Sequence, residues 1–177
     1  INFSVPEAAV SNIKIAMKKK IPVVCGTTGW LDNYEEITTF CETQNTAFLY
    51  ASNFSIGVNI FFDINRRLAE LMKKQDYKVS ISETHHLEKI DSPSGTAITI
   101  SNEIKKIKKD IKIPITSLRE ADEIGTHEVK YISEIDIISL HHKANKRDGF
   151  ALGALIAAEW IINKKGIFTF ADVLKNI

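Results

Sequence analysis

Apolar positions along the first fifty residues alternate between two rhythms. Ala9, Val10, Ile13 and Met17 recur at helical spacing behind Ser4, Pro6 and Glu7, which together read as a capping box with proline in the first turn, so a helix is expected over residues 5–19. Pro22, Val23, Val24 and Cys25 then make a short apolar run closed by Gly26-Thr27-Thr28-Gly29, the pattern of a buried strand ending in a tight loop. Asp32 is placed to cap a second helix with Tyr34, Ile37, Phe40 and Cys41 on one side, and residues 47–51 (AFLYA) form another apolar strand. Short apolar strands separated by helices imply a doubly wound parallel sheet covered on both faces. In such sheets ligands bind at the carboxyl ends of the strands, where the loops 26–29 and 52–55 both fall.

After Gly57 the pattern changes. Ile60, Phe61, Ile64, Leu68, Leu71 and Met72 form a helical stripe, and Tyr77, Val79 and Ile81 alternate with Lys78, Ser80 and Ser82, giving a helix and then a half-buried strand over 77–82. Ile98, Ile104, Ile107 and Ile111 mark a further helix entered at Ser94 or Gly95. Residues 128–133 and 135–141 read as an extended hairpin, and residues 151–162 return to an apolar helix containing Trp160. Mixed strands with long connections indicate a separate α+β region with its own mixed sheet.

Composition narrows the functional classes. In 177 residues, 44% are hydrophobic and 25% charged, which is ordinary globular material. Lys and Arg number 23 against 22 acids, so the overall charge gives no case for a nucleic-acid or anionic-membrane partner, and a small molecule is expected instead. Nothing approaches the roughly 18 to 20 apolar residues of a membrane span. Cys25 and Cys41 are too few for a disulfide framework and are read as buried thiols in a reducing, cytoplasmic setting.

The densest chemistry is the segment Glu83-Thr84-His85-His86-Leu87-Glu88-Lys89 at the end of the strand over 77–82. Histidine is the side chain best matched to proton transfer near neutral pH, and a lysine can donate protons or hold an anion. Asp91-Ser92-Pro93-Ser94-Gly95-Thr96 leads into a helix whose free amides, with the Ser94 and Thr96 hydroxyls, make a seat for a carboxylate or phosphate. Taken alone, a His-His pair is more often a hydrogen-bonded loop element or a weak metal site than a catalytic pair. His127, His141 and His142 come without a CxxC or HxxxH frame, and no metal is expected. The Gly26–Gly29 loop offers close backbone approach and threonine hydroxyls, and Ser52-Asn53-Phe54-Ser55-Ile56-Gly57 offers amides and an aromatic face suited to a flat ring. Either loop could also be an ordinary turn.

Together these segments resemble the dihydrodipicolinate reductase family. The likeness rests on Glu83, His85, His86, Lys89, Asp91 and Pro93 to Thr96, on the GTTG loop, on ASNFSIGVN at 51–59, on Gly-x-His-x-Val at 125–129 and on residues 147–160. It implies a partial Rossmann-like dinucleotide-binding domain from residues 1–54 and 148–177, and a substrate-binding and tetramerisation domain over 55–147. It further implies a homotetramer, to which the isoleucine-rich stretch 132–140 could contribute surface, with burial inside the monomer as the other reading. The implied activity is reduction of 4-hydroxy-tetrahydrodipicolinate, a cyclic imine dicarboxylate, by NADH or NADPH in diaminopimelate and lysine biosynthesis. By the same resemblance, His85 is the proton donor and Lys89 the second catalytic cation, while His86, Gly95 and Thr96 bind substrate. Gly26, Thr27, Thr28, Ala51, Ser52, Asn53 and Phe54 would touch the nicotinamide end of the cofactor, and Arg147 resembles a family arginine that reaches it.

Family members open with a strand, a Gly-rich loop and a helix that hold the pyrophosphate, and these do not precede Ile1 here. The expectation is that the cofactor's phosphate grip lies outside this sequence. Asn2 also stands where the family more often has an acidic residue. Two alternatives remain: a truncated, non-catalytic remnant of such a reductase, or another nicotinamide-dependent oxidoreductase acting on an imine or amino acid. The latter would explain GTTG but not the pairing of HHxxK with SGT.

Overall fold

The computed structural model describes residues 1–176. The chain divides into two compact units: Ile1–Ile56 together with the segment that starts at Asp148, and Gly57–Arg147.

The first unit is built on a parallel sheet of order β1-β2-β7, with β1 at Val23–Cys25, β2 at Ala47–Tyr50 and β7 at Gly166–Thr169. Asn2 bridges in parallel to Cys25, extending the β1 side. The strands are apolar on successive positions because both faces are covered. Val23, Cys25 and Phe48 face α1 (Pro6–Lys18) and α2 (Tyr34–Thr43), meeting Ala9, Ile13, Met17, Ile37 and Cys41. Val24, Ala47 and Leu49 face the other way, onto Ala154, Ala157 and Ile161 at and just beyond α5 (Asp148–Trp160), and Phe170 and Val173 of α6 (Phe170–Leu174).

The second unit stacks α3 (Ile56–Leu71) and α4 (Gly95–Ile107) on one face of a mixed sheet of order β4-β3-β5-β6. Its strands are β3 (Lys78–His85), β4 (Ile115–Arg119), β5 (Thr126–Ile132) and β6 (Ile137–Lys143). β4 runs parallel to β3, and β5 and β6 are antiparallel. Val79, Ile81, Val129 and Tyr131 alternate inward against Phe61, Phe62, Ile100 and Ile104, so the period of two in the sequence is the period of the buried face.

Several local expectations are corrected. The cap of α1 is Val5, and its side chain makes no capping bond; the Ser4 hydroxyl turns to the Val5 carbonyl instead. Asp32 lies inside a 3-10 turn, Leu31–Asn33, and α2 is entered from Asn33 without a side-chain cap. α4 ends at Ile107, and Ile111 reaches the core from the following loop. β4, β7 and α6 carry too little periodic apolar signal in four or five residues to stand out. β3 runs on to His85, three residues beyond the expected end at 82.

Candidate active site

That extension decides the geometry. On a strand, residues two apart share a face, so Val79, Ile81, Glu83 and His85 all point inward, the first pair into the apolar core and the second into a polar pocket at its edge. Glu83 is 1% exposed and His85 8%. A buried carboxylate needs compensation, and the neighbouring strands supply it. The pairing register sets Arg119 of β4 opposite His85 and His127 of β5 opposite Glu83. Arg119 Nη1 reaches Glu83 Oε1 at 3.1 Å, the Ser94 amide donates to the same oxygen at 3.4 Å, and His85 Nδ1 bonds Glu83 Oε2. Burial works against the charge of Glu83. Hydrogen bonds from Ser117 and Arg119, with the His85 ring, outweigh it and hold the carboxyl below its ordinary pKa.

Burial pushes the His85 imidazole below its ordinary pKa; Glu83 pulls it back up, while Lys89 and Arg119 add to the lowering. The far edge of the ring lies close to Gly125, where an added Cβ would stand 3.1 Å from Nε2. His127 crosses it edge to face with centroids 5.0 Å apart. Burial, followed by the charge of His85, brings the His127 pKa down to about 3, so this ring is neutral at physiological pH. Its Nε2 lies 3.4 Å from the Ser94 hydroxyl, whose oxygen accepts the Ala97 amide at 3.2 Å. Ser94 is thus the cap of α4, as its position before Gly95 and Thr96 suggested.

Glu83, His85 and His127 bring ligating atoms within 4.8 Å of one another. Both Glu83 oxygens are already committed to Arg119, Ser94 and His85, and the guanidinium repels a cation. Glu83 and His85 are joined by a hydrogen bond, and His127 adds a ring contact to His85 and a hydrogen bond to Ser94.

The turn after β3 carries the remaining candidates of this unit. Lys89 Nζ pairs with Asp91 Oδ1 at 2.7 Å, and the Asp91 carboxylate also receives the Gly95 amide. Arg119 ties this turn to β4, donating from Nη2 to the Asp91 carbonyl at 2.7 Å and from Nε to the Lys89 carbonyl at 3.3 Å. Gly95 opens α4 with open space around it, and Thr96 is half-buried in the same turn. His86 projects from the opposite side of the backbone to His85 and meets Arg147, whose Nη2 lies 2.9 Å from His86 Nε2. His86 and Arg147 line one cavity with Leu87, Glu88 and Glu123. The site therefore has two polar groupings: the buried Glu83–His85–Arg119 network, and the more open His86–Arg147 pair.

In the first unit, Gly26, Thr27 and Thr28 leave the carboxyl end of β1, and Ala51, Ser52, Asn53 and Phe54 leave that of β2, its parallel neighbour. Trp30 anchors the first loop by donating to the Thr27 carbonyl at 2.7 Å, and Gly29 turns it at φ +79°. Gly26 has the Phe3 ring directly over it, where a Cβ would fall 2.1 Å from Cε1. In the second loop the Ser55 amide is held by Asn53 Oδ1 at 2.9 Å, and buried Phe54 stacks edge to face with Phe3. Fixed backbone, small residues and an aromatic wall fit the flat end of a nicotinamide cofactor.

Sequence reading missed Arg119 and left Glu83 and His127 without a role. The signal was available for Glu83, since a strand continued to His85 puts both side chains on one face. Arg119 and His127 become visible only through strand register.

Two family models cover nearly the whole chain. "Dihydrodipicolinate reductase, N-terminus" matches residues 1–54 and "Dihydrodipicolinate reductase, C-terminus" residues 57–174. A protein of Christiangramia forsetii named 4-hydroxy-tetrahydrodipicolinate reductase is 50% identical over 189 residues, covering 100% of this chain and 79% of the relative. One of the same name from Methanoregula boonei is 35% identical over 189 residues, covering 98% and 73%. Among solved structures, a dipicolinate-bound dihydrodipicolinate reductase from Paenisporosarcina sp. TG-14 superposes with a TM-score of 0.80 over 94% of this chain and 69% of its own, at 22% identity, and so shares the fold.

Proposed function

The chain belongs to the dihydrodipicolinate reductase family, and from that premise we propose that His85 is its proton donor and Lys89 its second catalytic cation. The reaction is reduction of 4-hydroxy-tetrahydrodipicolinate to tetrahydrodipicolinate in the diaminopimelate route to lysine, with a nicotinamide cofactor. The balance is one hydride and one proton added and one water lost. When bound, the reduced nicotinamide supplies the hydride. The protein supplies orientation, countercharge and the proton.

The observation that carries this reading is the end of β3, where an imidazole buried against a carboxylate is followed within four residues by a lysine and then by the open first turn of α4. A dicarboxylate finds here the amides of Gly95 and Thr96, the Thr96 hydroxyl, the Lys89 ammonium and the His86–Arg147 pair. In the described arrangement Asp91 holds Lys89 and the Gly95 amide, so an arriving substrate carboxylate competes with Asp91 for both. Two substrate carboxylates near His85 favour its protonated form, offsetting the burial that lowers its pKa. His85 then delivers its proton, with Lys89 stabilising the charge on the ring.

Gly26, Thr27, Thr28 and residues 51–54 are assigned to the nicotinamide end of NADH or NADPH, and Arg147 to either the cofactor or a substrate carboxylate, its bond to His86 favouring the substrate. We place the protein in the cytoplasm as a homotetramer. Two unpaired buried thiols suit the first. The second is supported by the outer face of the second sheet, which carries Leu118, Ile132, Ile137, Ser139 and His141 opposite the face covered by α3 and α4. No helix among the described residues is long and apolar enough to cross a membrane.

The test is oxidation of NADH and of NADPH by the purified protein with enzymatically generated substrate. His85→Ala should lower kcat about 10²–10⁴-fold, the usual worth of a positioned general acid, and Lys89→Ala should lower it as well. Near-normal turnover in both variants would remove the assignment.

A further inference from the structure

Glu83 has no part in the assignment above, yet it is among the most completely buried charged groups of the unit, with its side chain 0% exposed. Its two oxygens divide their partners. Oε1 takes Arg119 Nη1 and the Ser94 amide, Oε2 takes His85 Nδ1, and Ser117 adds a further hydrogen bond to the carboxylate. An oxygen that is ionised and surrounded by donors can only accept, so the proton in the contact with the ring sits on Nδ1. In a neutral imidazole the other nitrogen, Nε2, is then left to gain and lose a proton. Nε2 lies on the side of Gly125, the one inward position of the β5 approach without a side chain to obstruct it.

We propose that Glu83 is the positioning residue of the reaction, fixing the tautomer and orientation of His85 so that Nε2 carries the proton delivered to substrate. The proposal rests on the reading of His85 as proton donor. In the step, the Nε2–H bond breaks and its electron pair stays on the ring. The proton goes to the substrate, and a solvent proton later restores Nε2. Nδ1 keeps its proton and Glu83 keeps its charge throughout, so Glu83 neither gains nor loses anything. Its carboxylate stabilises the imidazolium before transfer.

The groups around the ring support this division of labour. On its own strand His85 faces Glu83; from β4 it faces Arg119, from β5 His127, and from the following turn Lys89. Arg119 and Lys89 are cations and disfavour an imidazolium. His127 is held neutral, with Nε2 beside the Ser94 hydroxyl, and adds no positive charge. Glu83 is therefore the single anion among these neighbours that favours a charged His85, and Arg119 with Ser117 keeps Glu83 ionised at the cost of some of that effect. A purely structural Glu83–Arg119 pair would account for burial and stability, but would leave the His85 contact without consequence.

Glu83→Gln keeps shape and an acceptor oxygen while removing the charge. In the purified protein, ¹⁵N imidazole spectra should show the His85 titration midpoint falling by about one unit or more in this variant, the usual size of an adjacent opposite charge. The upper pH limit of kcat should fall with it. At the parent's optimum kcat should drop about tenfold or more with KM for NADH or NADPH unchanged, and Glu83→Asp should restore the pH limit. An unmoved His85 midpoint and pH limit in folded Glu83→Gln would overturn the proposal. Should Glu83→Gln not fold, the unsubstituted protein decides: above the His85 midpoint its neutral ring must carry the proton on Nδ1, and a proton on Nε2 would overturn the proposal. His85→Ala separates the two levels. Surviving turnover there removes the proton-donor role and Glu83's with it, whereas an inactive His85→Ala beside an unmoved Glu83→Gln removes only Glu83's.

Discussion

The carbonyl oxygen of Phe54 rests against the α carbon of Gly153, so closely that a Cβ at that position would stand 1.8 Å from the oxygen. This contact seats α5 beneath the loop that follows β2, and with it Ala154 and Ala157 against Leu49 and Phe54.

Gly153→Ala should therefore destabilise the protein, although glycine to alanine inside a helix ordinarily gains about 1 kcal/mol. Backbone, not a flexible side chain, has to move, and overpacking of that kind costs roughly 1–3 kcal/mol or more. A urea or thermal midpoint equal to or above the parent's would show that the close approach does not exist in solution.

Gly125→Ala places its methyl 3.1 Å from His85 Nε2. The ring must yield, and a small misplacement of a reacting group can cost on the order of 10²-fold in rate. The expected result is a lower kcat with a nearly unchanged melting temperature; full activity would mean the ring is not held where the structure has it.

Acid should weaken the fold beginning below about pH 6.5. His127 has its pKa lowered to about 3 from 6.5, chiefly by burial, and His85 and His142 are lowered too. A group with a depressed folded pKa binds fewer protons folded than unfolded between those values, so stability is present above the unfolded pKa and is lost as pH falls toward the folded one. Urea midpoints measured from pH 8 to pH 4 should fall for the parent and fall less for His127→Phe. Parallel curves would rule out His127 as a source of the loss.

Arg119→Met keeps most of the side-chain volume but leaves Glu83 without its guanidinium and the 89–91 turn without two tethers. Removing one partner of a buried pair costs roughly 3–5 kcal/mol; with Arg119 itself 19% exposed the lower end applies. Loss of stability accompanied by a higher KM for substrate is expected, because Lys89 and Asp91 sit on the released turn. Unchanged stability would show that the pair is not formed.

The sequence alone determined the class of each sheet, though not its strands β4 and β7, and the location of the chemistry. Short apolar runs such as 22–25 and 47–51 specify strands buried on both faces, alternation over 77–81 specifies one buried on a single face, and HHxxK before SGT places proton donors beside a helix start. These are local patterns of period and type, carried by consecutive residues. What only the tertiary structure decided is which residues meet. Arg119 and His127 lie 34 and 42 positions beyond His85 in the chain and reach it through strand register alone. The continuation of β3 to His85 turns Glu83 from one letter of a motif into the partner of the ring. Register is fixed by backbone hydrogen bonds that every residue type can make, so it leaves little trace in the identity of the residues it brings together.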